Sequence, residues 1–236
     1  AQIGAYLAAL RTDPPHGAHP VHAVAADVAD RAALETAIGG CVDRHGPCDV
    51  LITCAGIVLP GYFEDLPSDE FGREMAVNYL GTLHAVRAVV PSMLERGRGS
   101  IACISSTAGL IPVFGYTAYG PSKYAVRGLC EILRNELRPR GITVSAVYPS
   151  DVDTPQLAFE EPHKPPETRA VSGTVKPVSA EQVAAAIVRG IRRGSPVIYP
   201  ELQTRFLARL SGALPGFTRW YLDRVVAKAR RASPDG

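Results

Sequence analysis

The chain has 236 residues, of which 46% are hydrophobic and 20% are charged, and its formal net charge is +2. This length and composition predict a globular protein with one sizeable domain around a buried core. The nearly balanced charge argues against a polyanion partner, so we expect no nucleic acid, and no apolar run approaches the roughly 18 residues of a membrane span.

The five cysteines, at positions 41, 48, 54, 103 and 130, form no C-x-x-C pair. Their odd number and apolar surroundings favour buried thiols in a reduced cytoplasmic protein over a metal or redox role, so we expect no metal. The chain begins at Ala1, directly in a predicted helix and without a methionine or a signal peptide, so we expect it to be truncated.

The next segments alternate between strands and helices. Residues 21–25 are predicted as a strand, residues 31–45 as a helix and residues 50–53 as a short buried strand. Asp27 and Val28 follow the first strand and are candidates for contact with a ligand. The alternative is that Asp30 caps the helix and that Asp27 is merely solvated in the turn. Cys54, Ala55 and Gly56 follow the second strand, and a glycine there lets the backbone approach another group closely.

A long helical pattern covers residues 68–96 and contains Asn78, which by itself is more typical of a satisfied polar residue than of a catalytic one. Residues 101–104 then read as a buried strand. Ser106 falls at the carboxyl end of that strand, which is where doubly wound folds place their chemistry.

Tyr119 and Lys123 share the next predicted helix, and Lys123 lies one turn after Tyr119. Tyrosine has a pKa near 10, so proton transfer at neutral pH needs a shift of roughly 3 units, or about 4 kcal/mol. A cation about 4 Å away supplies on the order of 4 kcal/mol at an effective dielectric constant of about 20. A solvated surface pair is the alternative for this spacing taken alone. Pro121 is tolerated in the first helical turn.

The remaining elements are a strand at 142–147, a helix at 179–193 and a strand at 197–199. Residues 160–169 are rich in proline, and we predict a loop or lid that covers the substrate. The alternation of strands and helices predicts a doubly wound, mostly parallel α/β sheet of the Rossmann type. Such sheets bind ligands at the carboxyl ends of their strands. Four candidate residues follow strand ends directly: Asp27, Gly56, Ser106 and Pro149.

By spacing and local context, four residues resemble the catalytic tetrad of the classical short-chain dehydrogenases/reductases: Asn78, Ser106, Tyr119 and Lys123. The resemblance implies hydride transfer between a nicotinamide cofactor and a carbonyl carbon. It implies that Tyr119 is the acid/base and that Ser106 holds the carbonyl oxygen. It further implies that Lys123 lowers the pKa of Tyr119 and binds the nicotinamide ribose, while Asn78 positions a water that connects Lys123 to solvent.

The same resemblance implies a set of cofactor contacts. Asp27 and Val28 would contact the adenine ring. Ala55 and Gly56 match the last two residues of the family's Asn-Asn-Ala-Gly motif, with Thr53 and Cys54 in place of both asparagines. A later stretch resembles the family's Pro-Gly-x-x-x-Thr element, with Ser150 in place of the glycine, which implies that the nicotinamide carboxamide is held by Pro149, Val152 and Thr154. Tyr119 and Lys123 would also touch the cofactor.

A dinucleotide fold begins with a strand and a glycine-rich turn that holds the pyrophosphate, and this sequence contains no Thr-Gly-x-x-x-Gly-x-Gly. Glycines 39–40, 97, 99 and 212 stand in the wrong context. Three explanations remain open: the turn belongs to the encoded protein but lies outside this chain, the chain has been shortened, or the protein binds no dinucleotide. The residues that select NAD or NADP cannot be read.

Within the family, residues 78–82, 114–119, 148–155 and 164–168 resemble the 3-ketodihydrosphingosine (3-dehydrosphinganine) reductases. This resemblance implies NADPH-dependent reduction of 3-ketosphinganine to sphinganine, by a soluble or peripheral bacterial enzyme. The alternatives are a reductase for another apolar ketone, such as a steroid, retinoid or acyl chain, and a non-catalytic member that binds lipid or a partner protein.

We divide the chain into a reductase domain, residues 1–200, and a basic helical tail, residues 201–236. The tail has seven Lys or Arg residues between 201 and 231 against Glu201 and Asp223, interleaved with aromatic and aliphatic residues. Two amphipathic basic helices suit peripheral contact with an anionic membrane. The alternative is that they pack on the enzyme, close the pocket or form a subunit interface. We also expect a homo-oligomer.

Overall fold

The structure is a computed structural model that describes residues 21–173 and 176–232. The helix predicted at the start of the chain lies outside these residues. The described residues form six strands, β1 (Val50–Thr53), β2 (Gly99–Ile104), β3 (Ile142–Val147), β4 (Val152–Asp153), β5 (Val178–Ser179) and β6 (Val197–Ile198). Four of them form a parallel sheet in the order β1-β2-β3-β6, and β4 pairs with β5 in a separate parallel ladder.

Nine α-helices occupy the described part of the chain. They are α1 (Arg31–His45), α2 (Ser68–Glu74), α3 (Gly81–Arg96), α4 (Tyr119–Leu137), α5 (Pro155–Glu160), α6 (Pro166–Ser172), α7 (Ala180–Arg192), α8 (Leu202–Ala213) and α9 (Pro215–Ala232). A π-helical turn, Met75–Leu80, joins α2 to α3 without a break. Short 3₁₀ turns cover Thr107–Gly109, Arg138–Arg140 and Glu161–His163.

The sheet is covered on both faces, and its two central strands, β2 and β3, are mostly apolar. Ile101 of β2 packs into a core shared with α3 and α4, while the next residue, Ala102, packs into a second core with α7. Successive strand residues point to opposite faces, so a strand with helices on both sides is hydrophobic at most positions. This arrangement confirms the predicted doubly wound α/β fold.

The strand predicted at residues 21–25 is wrong, because these residues have irregular structure. A strand is stable only when a neighbour takes its backbone hydrogen bonds, and the described residues provide no strand beside this segment. β1 consequently lies at the edge of the described sheet, where Val50 is 48% exposed and Ile52 is 44% exposed.

Residues 160–169 are helical and do not form the predicted loop, whereas the alternative of a lid over the substrate stays a prediction. This stretch contains the end of α5, a 3₁₀ turn and the beginning of α6. Pro162 and Pro166 stand in the first turns of the 3₁₀ turn and of α6, where the missing N–H has no intrahelical partner and the fixed φ angle suits the helix, and Pro165 is the N-cap residue of α6. Proline therefore starts helices here.

The tail contains two helices, as the sequence predicts, with α8 ending at Ala213 and α9 starting at Pro215. α9 packs against α6, and Nε of Arg230 lies 3.0 Å from Oε1 of Glu167. The Arg230 guanidinium also lies over the ring of Phe114, 5.5 Å from its centroid. The tail is therefore folded onto the body of the protein. Within residues 21–173 and 176–232, no helix is both long and apolar enough to cross a bilayer.

Candidate active site

Ser106 follows β2 directly and begins the 3₁₀ turn Thr107–Gly109, where its Oγ accepts a hydrogen bond from the Ala108 N–H (3.1 Å). The turn packs tightly against α4, because Ser105 Oγ donates to the Lys123 carbonyl (2.9 Å). A side chain at Gly109 would clash with both groups. The side chain of Ser106 is thus held by its hydrogen bond within the turn, and the turn is held against α4 through Ser105 and Gly109.

Tyr119 is the first residue of α4, and Lys123 lies one turn further on with only 4% of its surface exposed. Lys123 Nζ donates to the Ile104 carbonyl (3.1 Å), at the end of β2, and lies 5.5 Å from the centroid of the Tyr119 ring. The ring of Tyr116 packs edge-on against Tyr119, with centroids 5.3 Å apart. The predicted pairing of Tyr119 with Lys123 is therefore present.

Asn78 lies in the π-helical turn and is almost completely buried. Its side-chain amide makes two hydrogen bonds to the backbone of Ile57, in the segment after β1. The amide oxygen accepts from the Ile57 N–H (2.8 Å), and the amide nitrogen donates to the Ile57 carbonyl (3.0 Å). Nδ2 also donates to Ser122 Oγ on α4 (2.9 Å). A Cβ at Gly56 would lie 3.2 Å from Asn78 Oδ1 and 3.4 Å from Lys123 Nζ, so both groups face the same glycine. The structure brings all four predicted catalytic residues to one place, named here the reaction wall: Asn78, Ser106, Tyr119 and Lys123.

The electrostatics differ from the simple sequence expectation. Burial raises the pKa of Tyr119 above its usual value, although the hydrogen bond with Ser106 lowers it, and the carboxylates of Glu160, Glu74 and Asp151 raise it further. Burial also lowers the pKa of Lys123 to about 8, against the opposing influence of Cys54 and Glu74. The lowered Tyr119 pKa that the sequence predicts from the pairing with Lys123 is therefore wrong for the protein by itself, where burial raises this pKa.

A cavity of about 560 Å³ lies in front of Ser106, Tyr119 and Lys123. The predicted cofactor residues Gly56, Pro149, Val152 and Thr154 also line it. Its opposite side is formed by residues from the segment that we name the cover, helices α5 to α9, and these lining residues are largely apolar: Leu157, Val171, Val183, Ile187, Leu207 and Tyr221. The alternative in which the tail closes the pocket is confirmed by Leu207 and Tyr221.

Three predicted cofactor residues, Asp27, Val28 and Ala55, do not line this cavity. Asp27 is exposed, and its Oδ1 accepts from the Ala29 N–H (2.9 Å), while Asp30 caps α1 by accepting from the Ala33 N–H (3.1 Å). Val28 packs against the start of α3, because a side chain at Gly81 would clash with it. The helix cap at Asp30 is confirmed, and contact of Asp27 and Val28 with adenine stays a prediction.

Sequence reasoning missed a buried carboxyl group beside the tetrad. Glu74 has no exposed surface, and its Oε1 accepts from the Leu59 N–H (2.6 Å). Oε2 has no hydrogen-bond partner among the described residues. Burial raises the pKa of Glu74 to about 7 despite the neighbouring Arg73 and Lys123. The available signal was its position one helical turn before Asn78, on the same helical face.

Two further carboxylates, Asp151 and Glu160, line the cavity and were not predicted as site residues. Asp151 lies within the stretch assigned to the nicotinamide, and Glu160 begins the stretch assigned to a loop. Glu160 was not predicted because residues 160–169 have the pattern of a loop, and a charged residue in a loop normally faces solvent. In the folded chain it is 8% exposed.

The residues present fit the nicotinamide half of a dinucleotide. An ammonium group has three N–H donors, and the bond from Lys123 to Ile104 uses one of them. Gly56 leaves an open approach in front of Lys123, where a side chain would fill the space. Lys123, Thr154 and the backbone near Pro149 would hold the nicotinamide riboside, and the chemistry supplied there would be hydride transfer.

Comparison with known proteins agrees with this geometry. The family model described as short chain dehydrogenase matches residues 5–164. The chain belongs to this family. It is 42% identical over 205 residues to the 3-ketodihydrosphingosine reductase of Dictyostelium discoideum, covering 85% of this chain and 61% of that protein. It is 44% identical over 173 residues to the 3-dehydrosphinganine reductase of Danio rerio, covering 73% of this chain and 52% of that protein.

Among solved structures, a short chain dehydrogenase/reductase from Burkholderia phymatum in complex with NAD superposes with a TM-score of 0.77. The match covers 91% of this chain and 81% of that chain at 22% identity, so it shows the fold alone. The chain spans only about half to three fifths of the length of the two curated relatives.

Proposed function

We propose that the protein is an oxidoreductase that uses a reduced nicotinamide cofactor to convert 3-ketosphinganine to sphinganine. One observation carries the proposal: Ser106, Tyr119 and Lys123 converge on one face of a largely apolar cavity. The similarity to two sphingoid-base reductases supports the choice of ketone. A cavity of about 560 Å³ with a largely apolar lining fits part of a long alkyl chain.

When bound, the cofactor supplies a hydride to the carbonyl carbon. Tyr119 donates its hydroxyl proton to the carbonyl oxygen, and Ser106 holds that oxygen with a hydrogen bond as negative charge develops. The Lys123 cation lowers the cost of the tyrosinate that remains, and it holds ribose hydroxyls. Asn78 fixes the segment after β1, and we assign to it the positioning of a water between Lys123 and solvent.

NADPH is the proposed cofactor, on the resemblance to sphingoid-base reductases. The test is to purify the protein at its full encoded length and to compare kcat/KM for NADPH and NADH with 3-ketosphinganine, while sphinganine is identified by mass spectrometry. Formation of sphinganine with a preference for NADPH is expected. A clear NADH preference would overturn the cofactor assignment, and an absence of turnover with both cofactors would overturn the reductase.

Two other functions compete with this one. A reductase for a steroid, retinoid or acyl ketone would reduce that ketone at a higher kcat/KM than 3-ketosphinganine. A non-catalytic lipid-binding protein would show no turnover with any of them. The complete reaction wall favours catalysis, since a binding protein has no use for a lysine buried beside a tyrosine at the cost of its desolvation.

We also propose that the tail brings a cytoplasmic enzyme reversibly to an anionic membrane, where long-chain ketones reside. Glu201 is buried against Ser150 and Thr204, so Asp223 is the one exposed acidic residue of α8 and α9 among the described residues. All seven basic residues of these helices are exposed. Large apolar residues of the tail are exposed as well: Leu202, Phe206, Leu214, Phe217, Trp220 and Tyr221.

Co-sedimentation with vesicles that contain an anionic lipid tests this role at low and moderate salt. Phe206→Ser should weaken binding by about tenfold, because a phenylalanine that enters the interface contributes roughly 1.5 kcal/mol or more. Phe63→Ser is the matched control, since both phenylalanines are 68% exposed but Phe63 lies outside the tail. If the unaltered protein stays in the supernatant, the membrane role is wrong. Light scattering of the same preparation tests the proposed homo-oligomer.

A further inference from the structure

The cavity contains one polar corner that the reductase chemistry does not use. Asp151 and Glu160 both line it, and the cation among its lining residues is Lys123, which already belongs to the reaction wall. The remaining wall on the side of the cover is mostly aliphatic. A carboxylate that faces an apolar cavity is costly unless something positively charged binds there. The corner therefore needs an explanation beyond hydride transfer.

Glu160 is the more deeply buried of the two carboxylates. Its Oε2 accepts from the Tyr116 hydroxyl (2.9 Å), whereas the contact of Oε1 with Gln156 Nε2 is long (3.5 Å). Within the described residues no Lys, Arg or His nitrogen lies within 4.0 Å of either oxygen. Burial raises the pKa of this carboxyl group, and the hydrogen bond from Tyr116 and the more distant charge of Lys164 oppose that effect. Glu160 thus lacks a direct cationic partner.

Asp151 shares its cation with other groups. Lys164 Nζ lies 3.1 Å from Asp151 Oδ2 and 3.2 Å from Glu161 Oε2. Glu161 also meets Arg169 at 3.5 Å on the outside of the protein. One buried ammonium therefore serves two carboxylates directly, and Glu160 adds a third negative charge nearby. The charge that faces the cavity is net negative on this side.

This corner adjoins the reacting atoms. Tyr116, whose hydroxyl donates to Glu160, also packs its ring against the ring of Tyr119. The two ring centroids are 5.3 Å apart. Asp151 and Glu160 both act electrostatically on the Tyr119 hydroxyl. A positive charge placed between these carboxylates would therefore lie beside the carbonyl group that Tyr119 protonates.

We propose that Glu160, assisted by Asp151, binds a primary ammonium group carried on the carbon next to the substrate ketone, so that the site selects α-amino ketones over plain ketones. The inference rests on the proposed function and deepens it, since 3-ketosphinganine is an α-amino ketone. The alkyl chain then lies along the aliphatic wall. Binding the ammonium neutralises charge that opposes formation of the tyrosinate, so the amine raises kcat as well as lowering KM.

The experiment compares two ketones in the purified full-length protein with NADPH: 3-ketosphinganine and the same molecule without its amino group. The unaltered protein should have a kcat/KM about 10- to 100-fold higher for the amine, which corresponds to one charged hydrogen bond. Glu160→Gln keeps an oxygen that accepts from Tyr116 but removes the charge. It should lower kcat/KM for the amine about 10-fold or more but should not lower it for the deamino ketone, because the charge that is removed opposes formation of the tyrosinate.

Glu161→Gln is the matched control, because Glu161 is adjacent and pairs with the same lysine but does not line the cavity. It should change both ketones by less than about twofold. Equal losses on both ketones in Glu160→Gln would assign a structural role to Glu160 and overturn the inference. If that variant does not fold, the unaltered protein decides: equal kcat/KM for the two ketones overturns the inference and leaves the reductase intact. Failure to reduce either ketone overturns the reductase itself.

Discussion

The two sides of the cavity are built in different ways. In the reaction wall, buried polar side chains bond to backbone or side chains of other elements, so that Asn78 reaches both Ile57 and Ser122. The cover is joined to the rest of the protein by buried contacts such as Tyr116–Glu160 and Thr168–Phe114, and also by partly exposed ion pairs such as Arg230–Glu167. The cover also leaves Phe206 and Trp220 on its surface.

This difference suggests that the reaction wall carries out the chemistry and that the cover selects the ketone. A group that must hold a proton within hydrogen-bond reach of a substrate needs a rigid support, and the sheet and α4 provide it. A wall that must admit a long chain needs to open, and the last two helices, α8 and α9, which are joined to α6 in part by the partly exposed Arg230–Glu167 pair, permit this. We therefore expect changes in the reaction wall to reduce turnover of every ketone, and changes in the cover to act on particular ketones or on stability.

The largest effect should come from Tyr119→Phe, which removes only the hydroxyl that carries the proton. We expect kcat with 3-ketosphinganine to fall by about 10³-fold or more, with an unchanged temperature of unfolding. Tyr124→Phe on the same helix, where the ring is 40% exposed, should leave kcat unchanged. Activity of Tyr119→Phe within a few-fold of the unaltered protein would remove the reaction wall from the mechanism.

The pH profile should show the next largest effect. Lys123 has a pKa of about 8, and its cation is required, so kcat/KM should fall about tenfold for each pH unit above about 8. Lys123→Arg keeps the positive charge and should move this decline to higher pH. Initial rates between pH 6 and about 10, with matched ionic strength, provide the measurement. A decline that stays in place in Lys123→Arg would assign it to another group.

A smaller effect is expected on stability, from Glu74 beneath the reaction wall. Its pKa is about 7 in the folded protein and near 4.5 when unfolded, so the folded state binds more protons between these values. The free energy of unfolding should therefore decrease as pH rises from about 4.5 to about 7, by at most about 3 kcal/mol from this group. Glu74→Gln should remove that decrease in urea titrations, and the exposed Glu95→Gln should keep it. Parallel curves for all three proteins would contradict the raised pKa.

The smallest effect should come from removing the ion pair between α9 and α6, and it should appear in the temperature of unfolding. Arg230→Ala breaks the ion pair with Glu167, whose other oxygen still accepts from the Tyr62 hydroxyl. We expect the temperature of unfolding to drop by about 2–4 °C, the equivalent of about 1 kcal/mol, with kcat for the deamino ketone unchanged. The neighbouring Arg231→Ala should show no drop. A drop of the same size in both would mean that general charge, and not this pair, sets the stability of the cover.

Most of the sheet and the helices around it could be predicted, since apolar runs and helical periods reflect local chemistry. The rule about strand ends brought together Gly56, Ser106 and Pro149, which line one cavity. Tyr119 and Lys123 followed from their spacing on a helix and from the family resemblance. The strand at 21–25 was wrong because strand formation depends on a neighbour, which a local pattern does not contain. Glu160 was missed because helix-starting prolines were read as loop signals, and Glu74 because burial of a carboxyl group is decided by the packing of distant residues.

The π-helical turn at Met75–Leu80 makes the site sensitive to chain length by a single residue. Each residue of a helix advances the side-chain direction by about 100°. A π turn inserts one residue into an α-helical ladder, so α2 and α3 lie on one axis but out of phase. Deleting one codon within this turn would restore a regular helix and rotate the segment before it. Glu74, at the end of α2, would then turn away from Leu59 while α3 keeps its packing, and a protein with an unchanged set of catalytic side chains would lose the carboxyl group beneath them.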